Sequence, residues 1–202
     1  KGWGCLHETQ DQRAMTAPIT AFSAVALKAE DLPELIARAY AVFDSERPRP
    51  VHISVPLDVL AAPVARDWSN EVVRRPGRGP ANLESVALAA SKLAAAKRPM
   101  IIAGGGALGA AAELQLLSKR LAAPFFTSVA GKGLLPADAP LNAGASLCVE
   151  PGWQLISQAD VVLAVGTEMA DTDFWRERLP ISGELLRVDL DPPKFHDSYP
   201  CA

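Results

Sequence analysis

The first part of the chain carries one helical and one extended pattern of apolar residues. Between 31 and 44, apolar side chains recur at helical spacing, which predicts an amphipathic helix, and Asp31 with Glu34 resembles a capping box at its start. The segment 51–55 alternates apolar and polar residues before Pro56, as is typical of a short strand. No partner strand is predicted within the chain, so we expect this pair to belong to a sheet that the chain supplies only in part.

From residue 81 onward, apolar strands alternate with helices. Asn82 is placed to cap a helix that runs to about Lys97, and further helices are predicted at 107–122 and 152–158. Apolar runs predict strands at 99–103, 125–129, 160–165 and 185–190. Such alternation predicts a parallel sheet covered on both faces. The expected fold class is α/β, with a doubly wound, Rossmann-like central domain preceded by a partial α/β domain.

Residues 61–80 differ from both flanks, because prolines, glycines and arginines replace the apolar periodicity. This composition is typical of a solvated linker, which we favour over a phosphate-binding role for the arginines. The predicted organisation is a partial domain at 1–60, a linker at 61–80 and a nucleotide-binding-like domain at 81–202. The chain has neither an initiator methionine nor a signal-peptide pattern, and we expect it to be a piece of a longer protein.

Composition argues against several classes of protein. The 202 residues are 49% hydrophobic and 21% charged with a net charge of −3, which predicts a globular protein that does not bind nucleic acid. No apolar run reaches the ~18–20 residues that span a bilayer, so no membrane partner is expected. The three cysteines match no metal site or disulfide framework, which favours a cytoplasmic location.

Three consecutive glycines follow the strand predicted at 99–103. Gly104, Gly106 and Gly109 have the G-x-G-x-x-G spacing, in which backbone N–H groups approach a phosphate at a helix N-terminus. The alternative is that these glycines only end a strand tightly. A classical NAD site also needs an acidic residue about 20 residues later, at the end of the next strand. The segment 124–129 has no carboxylate, which argues against hydride transfer.

Ligands of open α/β sheets bind beyond the carboxyl ends of the strands. At those ends this chain has glycines, a hydroxyl residue and carboxylates, which leave room for an ADP-like or flavin group. Asp189 or Asp191 would reach a ribose, and Lys132 is either a phosphate contact or a surface lysine. The predicted cofactor-binding residues are Gly104, Gly105, Gly106, Thr127, Lys132, Gly166, Asp189 and Asp191.

The sequence offers no catalytic or metal-binding constellation. His7, His52 and His196 lack ligand spacing, so no metal site is predicted, and the alternation around His52 favours a structural role. A catalytic role for His7 or Glu8 stays open. A nucleophile elbow, a Walker A motif and an acid pair are all missing. No catalytic residue is therefore assigned, and the residues alone indicate a binding domain.

The chain resembles the central domain of thiamine-diphosphate-dependent enzymes, and within them the acetolactate synthase-like branch. The matching segments, in the order the family has them, are 98–106, 123–136, 140–144, 159–166 and 188–192. The segment 48–59, with 2–8 and 18–20 before it, resembles the end of that family's pyrimidine-binding domain. The resemblance spans nearly the whole chain.

This resemblance implies a longer parent enzyme with three α/β domains. The first and third would bind thiamine diphosphate with Mg²⁺ across a dimer interface, and the catalytic glutamate and the diphosphate motif would lie outside this chain. The fragment alone would be inactive. Its parent would be a cytoplasmic homodimer or homotetramer that decarboxylates or ligates a small 2-oxo acid. FAD or an ADP-like nucleotide would occupy the central domain through the glycines and carboxylates named above.

Two departures from the acetolactate synthase pattern favour a 2-oxo acid decarboxylase. The family's Gly-Ala-Arg-Phe-Asp-Asp-Arg is replaced at 166–172 by a segment without arginine, and its Ile-Thr-Lys becomes Ile19-Thr20-Ala21. Two competing interpretations are an NAD-linked Rossmann dehydrogenase domain and a non-catalytic nucleotide-binding domain.

Overall fold

The computed structural model describes residues 3–4, 6–65, 67–68, 77–199 and 201. The chain divides into two compact units, 1–80 and 81–202. Much of the linker predicted at 61–80 lies outside the described residues, and the assignment of the two units to domains of a larger enzyme stays a prediction. Within the described part of the chain, no helix is long and apolar enough to cross a membrane.

The first unit contains a small parallel sheet that one helix covers. Its strands are β1 (Ser23–Val25) and β2 (His52–Ser54), and its helices are α1 (Gln12–Thr16), α2 (Leu32–Ser45) and α3 (Leu57–Leu60), with 3-10 turns at Ala17–Ile19 and Ala29–Asp31. Ala39 and Val42 of α2 pack with Phe22 against the sheet. The expectation that β2 has no partner within the chain is wrong, because β1 pairs with it. β1 is too short for its apolar pattern to identify it.

The start of α2 also differs from the prediction. The Asp31 carboxylate accepts hydrogen bonds from the N–H groups of Leu27 at 3.0 Å and Lys28 at 3.2 Å, and not from the first turn of α2. The predicted capping box of Asp31 with Glu34 is therefore wrong. The physical reason is the 3-10 turn Ala29–Asp31, which leads directly into the helix and gives the carboxylate closer donors behind it.

The second unit is built on a five-stranded sheet in which all strands are parallel, which confirms the predicted fold class. The strands are β3 (Pro99–Ala103), β4 (Phe125–Thr127), β5 (Asn142–Gly144), β6 (Val161–Val165) and β7 (Glu184–Val188). Their order across the sheet is β5-β4-β3-β6-β7. We call the side where the strands begin the amino edge, and the side where they end the carboxyl edge.

Helices cover both faces of this sheet. They are α4 (Leu83–Ala95), α5 (Ala111–Leu121), α6 (Glu150–Ile156) and α7 (Asp171–Phe174), with 3-10 turns at Gly105–Ala110, Val129–Gly131, Ser146–Cys148 and Pro192–His196. Alternate residues of each strand face opposite sides. Ile101 and Phe125 pack on the side of α4 and α5, whereas Ile102 and Phe126 pack on the side of α6 and α7. The domain is thus doubly wound.

Several predicted boundaries shift where the chain turns. The helix predicted at 107–122 is replaced at its start by the 3-10 turn Gly105–Ala110, and α5 begins only at Ala111. The strand predicted at 125–129 ends at Thr127, because Val129–Gly131 forms another 3-10 turn. β5 was not predicted, since its three residues have no apolar pattern. The cap of α4 is confirmed: the Asn82 side chain accepts the Ser85 N–H at 2.9 Å.

One carboxylate organises the amino edge. Asp160 precedes β6 and accepts hydrogen bonds from the N–H groups of Lys97 at 2.7 Å and Arg98 at 2.9 Å, just before β3. The hydrogen bond from Lys97 is the main cause that holds the pKa of Asp160 below its usual value. Nearby, Lys92 of α4 forms an ion pair with Glu184, the first residue of β7. The Glu184 N–H also donates to Asp160 O at 2.9 Å, so the starts of β3, β6 and β7 are joined.

Candidate functional site

The carboxyl edge brings together most of the residues that the sequence nominated. β4, β3, β6 and β7 are neighbours in the sheet, and all four are parallel. Their ends carry Thr127, Gly104, Gly166 and Asp189, so these residues lie along one edge. Thr127 is buried, Gly105 and Asp191 are half-buried, and Gly106 is exposed.

The glycines after β3 lie directly against the loop after β6. The N–H of Gly104 donates to Val165 O at 2.9 Å, and that of Gly106 donates to Gly166 O at 3.0 Å. A Cβ on Gly104 would lie 2.3 Å from Gly166 O, and one on Gly166 would lie 2.5 Å from the carbonyl carbon of Gly106. Gly166 also has a φ of +56°, which favours glycine. Glycine at these positions allows two main-chain segments to touch.

The loop after β4 lies on the other side of the glycine turn. The N–H of Ser128 donates to Ala103 O at 3.0 Å, and a Cβ on Gly131 would lie 2.4 Å from that same oxygen. The Ser128 hydroxyl accepts the Gly131 N–H at 3.2 Å and stabilises the turn. Lys132 follows this turn and is exposed. Its two interpretations, a phosphate contact and a surface lysine, both stay open.

The segment from Thr167 to Trp175 connects the end of β6 to the loop after β4. The N–H of Met169 donates to Thr167 Oγ1 at 3.1 Å, and the N–H of Val129 donates to Asp173 Oδ1 at 3.1 Å. Met169 and Trp175 have positive φ angles of 54° and 55°, a strained conformation for residues other than glycine. The hydrogen bonds hold this strained segment in one position. Asp173 was not identified from the sequence, because its partner lies 44 residues away.

A buried arginine, also missed from the sequence, connects three segments at this edge. Nη2 of Arg187 donates to Thr167 O at 2.9 Å, Nη1 donates to Lys194 O, and the guanidinium lies 3.9 Å from Asp189 Oδ2. The Arg187 side chain is 1% exposed and that of Asp189 is 4% exposed. Arginine inside the apolar strand Leu-Leu-Arg-Val was the signal that could have identified it, because arginine is rarely buried without a partner.

One oxygen of the Asp189 carboxylate accepts a hydrogen bond within the protein, and the other is buried beside Arg187 beyond hydrogen-bond distance. Oδ1 accepts the N–H of Asp191 at 2.9 Å, and Oδ2 faces Arg187. Asp189 and Asp191 are both half-buried as whole residues, and the Asp189 side chain is 4% exposed.

The candidate residues of the first unit lie in different surroundings. His7 is exposed with a φ of +66°, and Glu8 accepts the Gly4 N–H at 3.1 Å. His52 Nδ1 lies 2.9 Å from the Ser23 hydroxyl, which is 2.8 Å from the Thr16 hydroxyl. His52 of β2 is thus hydrogen-bonded to Ser23 of the neighbouring strand β1. A role for His7 or Glu8 in catalysis is not tested by this geometry.

The carboxyl edge offers binding groups without reactive ones. In the described part of the chain, no group of three or more His, Cys, Asp or Glu residues could hold a metal ion. Along this edge lie main-chain groups, the half-buried Asp173, Asp189 and Asp191, and the exposed Lys132. In the described part of the chain, these groups can hold a ligand or a neighbouring segment, and no catalytic role is assigned to them.

Comparison with known proteins connects this geometry to one family. Residues 86–202 match the family model described as the thiamine pyrophosphate enzyme, central domain. Over 202 residues the chain is 79% identical to a probable 2-ketoarginine decarboxylase, AruI, of Pseudomonas aeruginosa, covering all of this chain and 36% of that protein. It is 30% identical over 214 residues to an oxalyl-CoA decarboxylase of Escherichia coli, covering 97% of this chain and 35% of that protein.

Two further relatives agree with these. The large subunit of acetolactate synthase isozyme 1 of Escherichia coli is 27% identical over 184 residues, which cover 90% of this chain and 33% of that subunit. A provisionally assigned thiamin diphosphate-dependent enzyme from Mycobacterium smegmatis has a crystal structure that superposes with a TM-score of 0.69 at 27% identity, over 94% of this chain and 37% of that one. The chain thus spans about a third of the length of the relatives it matches.

Proposed function

Because the chain belongs to the thiamine pyrophosphate enzymes, as their central domain, we propose that the full-length protein decarboxylates a 2-oxo acid with thiamine diphosphate. The match over 86–202 confirms the family that the sequence motifs indicated. The activity of the whole protein is a proposal, since this chain covers only 36% of the relative that supports it most strongly.

The proposed substrate rests on one observation, the difference in sequence identity among the relatives. Identity to the probable 2-ketoarginine decarboxylase is 79% over every residue of this chain, whereas identity to the acetolactate synthase and the oxalyl-CoA decarboxylase is 27% and 30%. We therefore take 2-ketoarginine as the substrate, a 2-oxo acid that ends in a guanidinium group. The named relatives are decarboxylases and synthases, which does not support the NAD-linked dehydrogenase or the non-catalytic nucleotide-binding interpretation.

The reaction itself would take place outside this chain. When bound, thiamine diphosphate supplies a carbanion that serves as an electron sink, and the protein supplies placement. The resemblance assigns the groups that hold the cofactor and Mg²⁺ to segments that this chain lacks, so no catalytic step is assigned to its residues. The contribution we propose for the central domain is structural: it fixes the segments that follow its strands. Assembly as a homodimer or homotetramer and a cytoplasmic location are further parts of this proposal.

A bound FAD or ADP-like nucleotide in the central domain stays a prediction. The residues nominated for it do not fit a glycine-loop phosphate grip, because the N–H groups of Gly104 and Gly106 already donate to Val165 and Gly166. The Asp189 carboxylate is also engaged, with Arg187 and the Asp191 N–H. A nucleotide is therefore given no part in the proposed reaction.

The experiment is a substrate comparison on the purified full-length protein with thiamine diphosphate and Mg²⁺. Release of CO₂ is measured for 2-ketoarginine, for pyruvate and for 2-oxohexanoate. Comparison of the three rates shows how much the guanidinium group of the substrate contributes to kcat/KM. A site built to pair a charged group rejects an analogue that lacks it, so we expect kcat/KM for 2-ketoarginine to exceed the other two by at least about 100-fold. Equal rates, or acetolactate formed from pyruvate as the main product, would contradict the proposal.

A further inference from the structure

We infer that Arg187 is an internal cross-link of the carboxyl edge, and that this cross-link holds the loops after β6 and β7 together without a bound nucleotide. This inference is independent of the proposed decarboxylase activity. It concerns the edge at which the sequence predicted a nucleotide, and it assigns a positioning role to a residue that no sequence motif had singled out.

The burial of Arg187 is the first observation. Its side chain is 1% exposed, although it lies one residue from the end of β7. A buried charge is unfavourable unless it is paired and hydrogen-bonded, and the guanidinium fulfils both conditions. It donates to the carbonyl groups of Thr167 and Lys194 and faces Asp189. The planar group thus reaches three separate segments at once, which a lysine could not do.

The positions of the two carbonyl groups are the second observation. Thr167 follows the end of β6, and Lys194 lies in the 3-10 turn Pro192–His196 that follows β7. Carbonyl groups beyond strand ends have no partner in the sheet, so water, a ligand or a side chain must satisfy them. Arg187 satisfies both. It joins the ends of two neighbouring strands, as a ligand lying across this edge would otherwise do.

The acidic residues are the third observation. Asp189 balances the charge of Arg187, and its other oxygen accepts the Asp191 N–H at 2.9 Å. With a side chain 4% exposed, its carboxylate is not accessible to a ribose. A nucleotide would have to break the ion pair to reach Asp189, and it would have to replace the main-chain bonds of Gly104 and Gly106.

The experiment measures the response of the full-length protein to ADP and to FAD, each added separately. A ligand that binds the native state raises the thermal midpoint. We expect neither nucleotide to shift the midpoint of the wild-type protein, and titration calorimetry to give no saturable heat. A rise of several degrees with either nucleotide, abolished by Asp191→Asn, would overturn the inference.

Hydrogen exchange of the full-length protein tests the cross-link directly. In Arg187→Met, we expect amides of 167–170 and 194–197 to exchange at least about tenfold faster, while amides of β3 keep their protection. Arg187→Lys keeps the charge but not the planar fork, so it should restore one of the two segments at most. Arg120→Met, at an exposed arginine of α5, is the matched control and should change neither segment.

The possible outcomes separate the two proposals. Unchanged exchange in both segments of Arg187→Met would overturn the inference. If Arg187→Met does not fold, Arg187→Lys provides the measurement, and full protection of both segments in that variant would also overturn the inference. Failure to decarboxylate 2-ketoarginine, with the expected exchange pattern, would contradict the proposed function and leave the cross-link supported.

Discussion

At each edge of the five-stranded sheet a charged side chain forms hydrogen bonds to main-chain groups, and the two charges have opposite signs. At the amino edge, the Asp160 carboxylate accepts two main-chain N–H groups ahead of β3. At the carboxyl edge, the Arg187 guanidinium donates to two main-chain carbonyl groups beyond β6 and β7. Each charge matches the main-chain groups that it meets, because a carboxylate accepts from N–H groups and a guanidinium donates to carbonyl groups.

The two edges differ in their access to water. Asp160 is partly exposed, so water can replace its hydrogen bonds. Arg187 and Asp189 have side chains 1% and 4% exposed, and loss of either would leave the other charged and buried. The carboxyl edge should therefore be the more sensitive to substitution, and each of the following changes tests that difference.

We expect the largest effect from Gly166→Ala at the carboxyl edge. The new Cβ would lie 2.5 Å from the carbonyl carbon of Gly106, at a φ of +56°. Left-handed backbone costs ~1–2 kcal/mol and overpacking a further ~1–3 kcal/mol, so the local free energy of opening should fall by about 4 kcal/mol. Hydrogen exchange of the amides of β3 and β6 in the full-length protein measures this loss.

Gly144→Ala is the matched control for that change. Gly144 has a φ of +59°, but a Cβ added to it would meet no other atom within 4 Å. The local free energy of opening should therefore fall in Gly144→Ala only by the ~1–2 kcal/mol that left-handed backbone costs. If the free energy of opening fell equally in both variants, the contact between the glycine turn and the β6 loop would contribute nothing to local stability.

The next largest effect is expected from Asp189→Asn. The amide keeps the shape of the carboxylate but removes the counter-charge of Arg187, and breaking a buried pair on one side costs about 3 kcal/mol. The local free energy from exchange of β7 amides measures this change. A loss no larger than that of Asp160→Asn at the amino edge would remove the difference between the two edges.

Asp160→Asn should have a smaller effect that depends on pH. Because the pKa of Asp160 is lowered in the native state, its stabilisation is present above the usual carboxyl pKa of 3.8 and is lost as pH falls through the lower native value. The thermal midpoints of the wild type and the variant should differ at pH 6 and begin to approach each other only below about pH 4. A gap that widens on acidification would contradict the assigned pKa direction.

The smallest effect is expected from Lys92→Met, which removes the ion pair with Glu184 at the amino edge. Both side chains are partly exposed, at 26% and 32%, so the pair should contribute only about 0.5 kcal/mol. Added salt should reduce the difference between wild type and variant, as measured by the thermal midpoint. An effect as large as that of Asp189→Asn would show that exposure does not explain the contrast between the edges.

The sequence predicts the parts of the fold that a local pattern encodes. The limits of β3 follow from its continuous apolar run, and the start of α4 follows from Asn82, which is a good cap. β1 and β5 were missed, since three-residue strands depend on their partners and not on an apolar pattern of their own. The local pattern after Gly104 predicts a helix instead of the observed turn, because the contact with Gly166 is not local.

The edge of the sheet on which the candidate residues lie was predictable, whereas their contacts were not. Gly104, Gly166 and Asp189 were chosen because ligands of parallel sheets bind at the carboxyl ends of strands, and the structure has all three residues at that edge. That rule could not indicate that the N–H groups of Gly104 and Gly106 are already hydrogen-bonded, or that Arg187 lies beside Asp189. The partners of Arg187 at Thr167 and Lys194 lie 20 and 7 residues away, and only the packed sheet brings them together.

The contact between Gly104 and Gly166 also limits how this domain can change during evolution. Most tight contacts can be relieved by a smaller residue on the opposite side, but glycine has no smaller replacement. A change at either position therefore has no compensating substitution at the other. In a search for second-site suppressors of Gly166→Ala, none should map to 104 or 106. They should arise instead in segments whose rearrangement lets the main chain move, such as 167–175.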